Sequence, residues 1–467
     1  MTGLAVAVLT AAVFLLAPSG GFLGWDDKVN LVAHDAWRGL SPAHLRWMLT
    51  THHHGPWQPL SWLSWALDHA AWGLDPHAFR RTNILLHAVA AGLFTECARL
   101  LLPKAKGFAW GAAFAGVFFA LHPLRVESVV WLTERRDVLS GAFAAASLLA
   151  FLKERRGASL GLFAAALLSK GTAVGMAWVF LFLEKDRRRA WPYFALALGA
   201  GLANLSGFGG ELRAMELTAG QRAVAVLNSL AFYPVKTFLP HGLSPYYPLT
   251  HSLSPLVLLL PALWFLRGHA VAYALILAPV SGVFQAGAQA YADRYSYLAC
   301  LPFALFVGRF GTPVRVALLA SVLSVLTLRQ AAFWRDDVSL WTRAVALAPQ
   351  AYLPRSNLAL AFDAAGDRVN AAEQYLWAIK LEPRDVEARV NLGAIRSKEG
   401  DYKAAESLYR EALALRPSHA PAHFNLAFLL RATGRKDEGL RHLREALRLE
   451  PGLAERLPSR PVAPLRK

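Results

Sequence analysis

Near the C-terminal end of the chain four prolines, Pro349, Pro383, Pro417 and Pro451, stand 34 residues apart. Other positions keep the same step: Asn357-Leu358, Asn391-Leu392 and Asn425-Leu426 in one phase, Gly366, Gly400 and Gly434 in a second, Ala378, Ala412 and Ala446 in a third. Tyr375 and Tyr409 are followed in their phase by Leu443. Small, large and proline positions at this period dictate paired helices. The small residues allow close approach, the glycine ends the first helix of each pair, and the proline ends the second. One such pair cannot bury its apolar face, so about three stacked pairs are the smallest stable array.

The pattern is that of tetratricopeptide (TPR) repeats: three over 350–451, preceded by a half-repeat or connector over 333–349 (in phase at Ala344) and followed by a tail over 452–467. A TPR solenoid is a docking surface, so the chemistry must come from upstream. Asn357, Asn391 and Asn425 recur on one face, where they would either bond an extended polypeptide in the groove or bond helix to helix inside the stack.

Upstream the composition changes. The chain of 467 residues is 55% hydrophobic with net charge +17, and before residue 331 its apolar residues form runs separated by short charged punctuation. That predicts an all-α chain, a polytopic membrane helical bundle over 1–332 followed by the solenoid. Leu4–Leu16 has no basic residue before it and fits a first span better than a cleaved signal. Cys97 and Cys300 lie in apolar runs and suggest neither a disulfide framework nor a zinc site. The basic residues (Lys104/Lys106, Lys153/Arg155/Arg156, Lys185/Arg187/Arg188/Arg189, Arg267 and Arg309/Arg315) punctuate apolar runs rather than gathering on one soluble face. They therefore mark cytoplasmic ends of spans and not a nucleic-acid surface.

On that rule about eleven spans are expected, with an outer loop over 19–79 and a short hairpin, about 158–169 and 172–184, dipping around Lys170. The run 223–239, interrupted by Pro234 inside the stretch Glu211–Ser254, reads as interfacial or re-entrant, which leaves the TPR part outside; counting it as a span moves the TPR part to the cytoplasm. Trp62, Trp65 and Trp72 are expected at the lipid interface. His52-His53-His54 lacks a second ligand set and reads as a solvated loop.

The outer side collects Asp26-Asp27, His122, Arg125, Glu127, Glu134-Arg135-Arg136-Asp137, Lys170 and Asp293-Arg294. Ionisable residues at membrane depth are costly and point to function. Paired carboxylates suit a general base or a divalent metal such as Mg or Mn, while Arg and Lys suit a phosphate leaving group. The bland readings are helix capping for Asp26-Asp27, interface anchoring or local ion pairs for Arg135, Arg136 and Asp137, and a structural salt bridge for Asp293-Arg294. No P-loop, strand-borne GxGxxG or GxSxG is present.

Phe22-Leu23-Gly24-Trp25-Asp26-Asp27, Gln58-Pro59-Leu60-Ser61, Asn83-Ile84-Leu85-Leu86-His87 and Leu121-His122-Pro123-Leu124-Arg125-Val126-Glu127-Ser128-Val129 occur in this order. Arg136-Asp137-Val138-Leu139, Leu168-Ser169-Lys170, Tyr246-Tyr247-Pro248 and Ala292-Asp293-Arg294-Tyr295-Ser296-Tyr297-Leu298 follow. The series, before terminal TPRs, resembles the transmembrane-and-TPR glycosyltransferases of the GT-C class, whose eukaryotic representatives are protein O-mannosyltransferases. The resemblance implies a polyprenyl-phosphate sugar donor, a protein hydroxyl as acceptor and catalysis at the outer membrane face. Asp26 or Asp27 would be the base or metal ligand, and Arg136, Lys170 and Arg294 the phosphate-binding residues. His122, Arg125, Glu127, Asp137 and Asp293 would support them. The family pattern places an acid after the lysine, where this chain has Gly171. A bacterial inner-membrane protein with its TPR part extracytoplasmic is the expected setting. A membrane-anchored TPR scaffold without activity, and a transferase acting on an envelope glycan or lipid, are the alternatives.

Overall fold

The computed structural model describes residues 2–18, 20–53, 55–103, 108–207, 217–283 and 289–457. Lys104, Lys106, His54, Glu211, the end of the expected span 270–286 and the tail beyond residue 457 lie outside them. The chain divides into two units, Met1–Leu340 and Trp341–Lys467, the division falling inside the helix Asp337–Leu347.

The C-terminal unit carries three helix pairs, Tyr352–Ala364 with Arg368–Leu381, Val386–Lys398 with Tyr402–Leu415, and Ala420–Ala432 with Lys436–Leu449. Gly366, Gly400 and Gly434 take φ of 84°, 87° and 91°, the left-handed turn that only glycine adopts cheaply, and so end the first helix of each pair. Asp367 and Asp401 then start the second helix, each accepting a backbone N–H three residues on. Ala378, Ala412 and Ala446 are wholly buried, beside the buried Tyr375 and Tyr409 in the first two pairs.

Among its described residues the N-terminal unit forms helices, the turns between them and one two-strand ladder. Thr2–Leu15 packs on Pro76–Leu101, where a Cβ on Gly3 would meet the Gly92 carbonyl oxygen at 2.6 Å; the two backbones approach because neither residue has a side chain. Pro76–Leu101 begins cleanly because the Asp75 carboxylate accepts the His77 N–H and Pro76 needs no partner for a nitrogen. The antiparallel ladder pairs Tyr247 with Tyr291, and so carries the Tyr247 ring toward Asp293.

The expectation of about eleven spans is corrected here. Among the described residues two helices, Pro76–Leu101 and Pro313–Ala332, are long and apolar enough to cross a membrane; Ala109–Ala120 with Pro123–Val130, bent by 49°, makes a third if counted as one. The other apolar runs are cut short. Thr2–Leu15 has 14 residues, Pro255–Leu266 with Pro261 inside it winds as a 3-10 helix, and the Lys170 hairpin breaks into Arg156–Ser169, Gly171–Gly175 and Met176–Leu183. Proline inside an apolar run removes a backbone bond that a straight helix requires, and glycine weakens the helix through its backbone freedom.

The segment 19–79 is no open loop. It holds the helices Pro42–Thr50 and Pro59–Trp72, and Trp62 and Trp65 are fully buried with Trp37, Phe79 and Leu132 instead of facing lipid. Only Trp72 of the three is exposed. Of the three histidines, His52 and His53 are half-buried and engaged: His52 Nε2 meets the Ala203 carbonyl at 2.9 Å and His53 stacks on His34 at 4.2 Å. The run read as interfacial forms one helix, Ala219–Phe238, started by a Thr218/Gln221 capping box.

Candidate active site

Three chain breaks build the site. The short helix Val126–Val130, the turn Leu132–Glu134 and the helix Arg135–Leu152 follow one another and bring in Glu127, Glu134 and Asp137 respectively. Lys170 stands extended between the two helices of the hairpin. Arg294 is carried on the short turn Asp293–Tyr295.

These groups meet. Lys170 Nζ lies 2.7 Å from both Glu134 Oε2 and Asp137 Oδ1, with its side chain 10% exposed. Glu134, with no exposure, also receives Arg136 Nε at 3.1 Å and Nη2 at 2.5 Å, and Arg294 Nε lies 3.4 Å away. Arg294 donates its backbone N–H to Glu127 Oε2 at 3.1 Å and Nη1 to Glu127 Oε1. Ser128 Oγ donates to Asp137 Oδ2 at 2.9 Å. Three cations and three carboxylates thus form one buried network. Burial by itself would raise the Glu134 carboxyl; Arg136, Lys170 and Arg294 outweigh it and hold it well below the usual carboxylate range. A cavity of about 20 Å³, room for about one water, is bounded by Asp137, Lys170, Thr172 and Arg294.

Sequence reasoning collected Glu134 with the outer ionisable residues but gave it no role, although it is the hub. Its signal was local, an acid two residues before Arg136 at a helix start, but its partners Lys170 and Arg294 are remote in sequence. The missing acid after Lys170 also finds its cause. A Cβ on Gly171 would meet Asn204 Nδ2 at 2.7 Å, and Asn204 is held by bonds to Ala200 and Trp57, so Lys170 takes its counter-charges from Glu134 and Asp137 instead. Gly171→Asp is therefore expected to destabilise the N-terminal unit by about 1–3 kcal/mol, read from its unfolding midpoint; a neutral or stabilising result would show that the pocket tolerates the family's acid.

The remaining expected residues divide. Asp27 is fully buried and accepts from Leu23 N at 3.1 Å, Thr133 N at 2.8 Å and Thr133 Oγ1 at 2.6 Å, closing its loop onto the site wall. Burial pushes its carboxyl up to about 6 against those three bonds. Asp26 is half-buried and within electrostatic reach of Arg136; its neighbour Trp25 packs on Trp131 at 5.4 Å, and the Arg294 guanidinium lies 5.4 Å from that same Trp131 ring. Asp293 and Arg294 do not pair with each other: Asp293 takes the Tyr247 hydroxyl at 2.8 Å, and burial together with Glu127 holds its carboxyl well above the usual range. His122 bonds the Thr237 carbonyl at 2.9 Å and caps the turn at Leu124. Arg125 donates to Ser296 Oγ at 2.5 Å, buried against Phe119 and Tyr297. Arg135 is locked by Asp68, Asn83 and the Phe79 carbonyl. Asn357, Asn391 and Asn425 are half-buried on the first helix of each TPR pair.

A divalent ion held by Asp26 and Asp27 does not fit. Both Asp27 oxygens are occupied by N–H and O–H donors, and among the described residues no group of three or more His, Cys, Asp or Glu is placed to hold a metal.

Comparison with known proteins gives findings on two levels. The class comes first: a tetratricopeptide-repeat family model matches residues 397–456. Among individual proteins, the chain is similar to the human protein O-mannosyl-transferase TMTC2, 32% identical over 154 residues, and to the Drosophila melanogaster protein O-mannosyl-transferase Tmtc1, 34% identical over 161 residues. Each match takes in 32% of this chain and 18% of the relative, so the chain spans less than a fifth of the length of those curated relatives. A crystal structure of MamA superposes with a TM-score of 0.24 at 19% identity, covering 31% of this chain and 81% of that one; no fold assignment follows at that score.

Proposed function

We propose that the chain is a membrane glycosyltransferase that moves a sugar from a polyprenyl-phosphate donor to a serine or threonine hydroxyl of a protein, on the extracytoplasmic face of a multi-pass body. The observation that carries this is the convergence of Arg136, Lys170 and Arg294, remote in sequence, on one buried acidic hub beside a cavity. Lys170 spends two of its three N–H groups on Glu134 and Asp137, and Arg294 spends Nε and Nη1 on carboxylates; each keeps further donors for a phosphate oxygen. Similarity to proteins named as O-mannosyl-transferases supports the reaction class. The polyprenyl chain would leave along the apolar groove of about 360 Å³ lined by Val174, Trp178, Phe194 and Pro279, of which Val174 and Pro279 share the turns Gly171–Gly175 and Ala278–Val280 with the cavity residues Thr172 and Val280.

In the reaction the acceptor oxygen forms a bond to the anomeric carbon as the bond from that carbon to the phosphate oxygen breaks, inverting the centre. The hydroxyl proton passes to Asp26, and the phosphate keeps the electron pair, steadied by Arg136, Lys170 and Arg294. The TPR groove would hold the acceptor polypeptide by Asn357, Asn391 and Asn425. Full-length protein in membranes, given a labelled polyprenyl-phosphate mannose and an unfolded serine/threonine-rich protein, is expected to label the protein; a folded enzyme that labels nothing would sink the reading. Changing the three asparagines to alanine is expected to raise KM for the protein acceptor about tenfold with kcat unchanged, since binding common to ground and transition states moves KM alone. A second reading, a membrane-anchored TPR scaffold, has one observation on its side: the ion network is closed around a cavity no larger than a water.

A further inference from the structure

A second, larger groove of about 730 Å³ runs along the N-terminal unit away from the ionic hub. Its walls are apolar, with Met176, Ile276 and Leu301 toward the hub end and Phe182, Phe265, Leu305 and Phe306 further along. Two antiparallel helices set its direction. Gly268–Leu277 starts after Arg267 and ends beside the cavity residue Ile276; Leu301–Gly308 starts after the Arg294 turn and ends before Arg309. The hub-distal mouth is therefore made by Arg267, His269 and Arg309.

The mouth is basic and available. Arg267 and Arg309 are exposed, and among the described residues neither is ion-paired; the nearby Glu184 is taken by Arg156 at 2.6 Å. Arg267 also holds a φ of 45°, a conformation costly for any residue with a Cβ, although Gly268 follows it directly. The strained turn aims a cation at a groove end where the fold itself needs none. Ten helical residues span about 15 Å, the depth of one leaflet of a hydrocarbon core about 30 Å thick.

We infer that this groove is a binding site for one anionic phospholipid, an acyl chain lying along Ile276, Leu305 and Phe306 and the headgroup phosphate held by Arg267 and Arg309. The site is distinct from the hub, about 15 Å away along the helix, and does not depend on the chain being a transferase. An apolar trough with a cationic end fits an amphiphile with one negative end, and guanidinium groups suit phosphate.

The test uses full-length protein in phosphatidylcholine nanodiscs with or without phosphatidylglycerol, released into detergent and weighed by native mass spectrometry. One retained phosphatidylglycerol per chain is expected. Arg267→Gln with Arg309→Gln is expected to lower its occupancy at least tenfold, whereas Arg315→Gln, which removes an exposed arginine outside the groove, leaves it. Ala272→Trp, filling the trough without touching charge, is expected to match the double variant. If that variant misfolds, the double variant of exposed residues decides. Unchanged occupancy in the double variant, or equal retention of phosphatidylcholine, overturns the inference. So does one-for-one displacement of phosphatidylglycerol by polyprenyl phosphate, which would give the groove to the donor.

Discussion

Replacing Lys170 by methionine is expected to destabilise the N-terminal unit by about 3–5 kcal/mol, the usual cost of removing one partner from a buried ion pair. The carboxylates explain why. Glu134 would keep Arg136 and Arg294, but Asp137 would lose the cation 2.7 Å away and keep the Ser128 hydroxyl, with the Arg125 guanidinium acting on it only through its longer-range field. The uncompensated charge is then Asp137, and the double variant Lys170→Met with Asp137→Asn should recover about 1–3 kcal/mol of the loss, a coupling of the size that contacting residues show in a double-mutant cycle. Unfolding of the single and double variants in the same detergent reads both numbers. A single-variant loss below about 1 kcal/mol would mean that water reaches the network and screens it as it does a surface pair.

How much of this was legible in the sequence follows from where each signal resides. The TPR part was legible because its period is carried by residues with strict local roles, Gly400 at positive φ or the wholly buried Ala412, which no tertiary partner can override. The Lys170 hairpin was legible for the same local reason, since charge punctuates two short apolar runs. The count of spans was not. Apolar content marks burial but does not say whether protein or lipid does the burying, so Trp62 and Trp65, fully buried inside the folded segment 19–79, looked like interface residues. Nor was the hub: Glu134 gains its role from Lys170, 36 residues on, and Arg294, which only the folded backbone brings within reach. Hydropathy also treats Asp26 and Asp27 alike, and the structure separates them.

That separation makes a paired prediction. Asp26→Asn is expected to lower sugar transfer by about 10²–10⁴, the contribution of a positioned general base, and to change stability by no more than about 0.5 kcal/mol, as at other half-exposed sites. Asp27→Asn is expected to act on folding instead. Asp27 titrates at about 6 in the folded chain against an ordinary value of 3.8, so the native state holds its proton more tightly than the unfolded one. The stability this confers is full below pH 3.8 and is lost as pH rises through about 6. The gap between those two values corresponds to about 3 kcal/mol, so the advantage of the native chain over Asp27→Asn should shrink by about 2–3 kcal/mol between pH 4 and pH 7. Asparagine has one acceptor oxygen for donors that now bond two, and its amide would oppose a backbone N–H, which costs the variant about 1–3 kcal/mol at acid pH where no charge is at stake. Melting curves of both proteins across that range, with transfer measured at one pH where both are folded, separate the two roles. Transfer retained above a tenth of normal in Asp26→Asn, or abolished in a folded Asp27→Asn, would exchange the assignments and move the reacting hydroxyl to the Thr133 side of the loop.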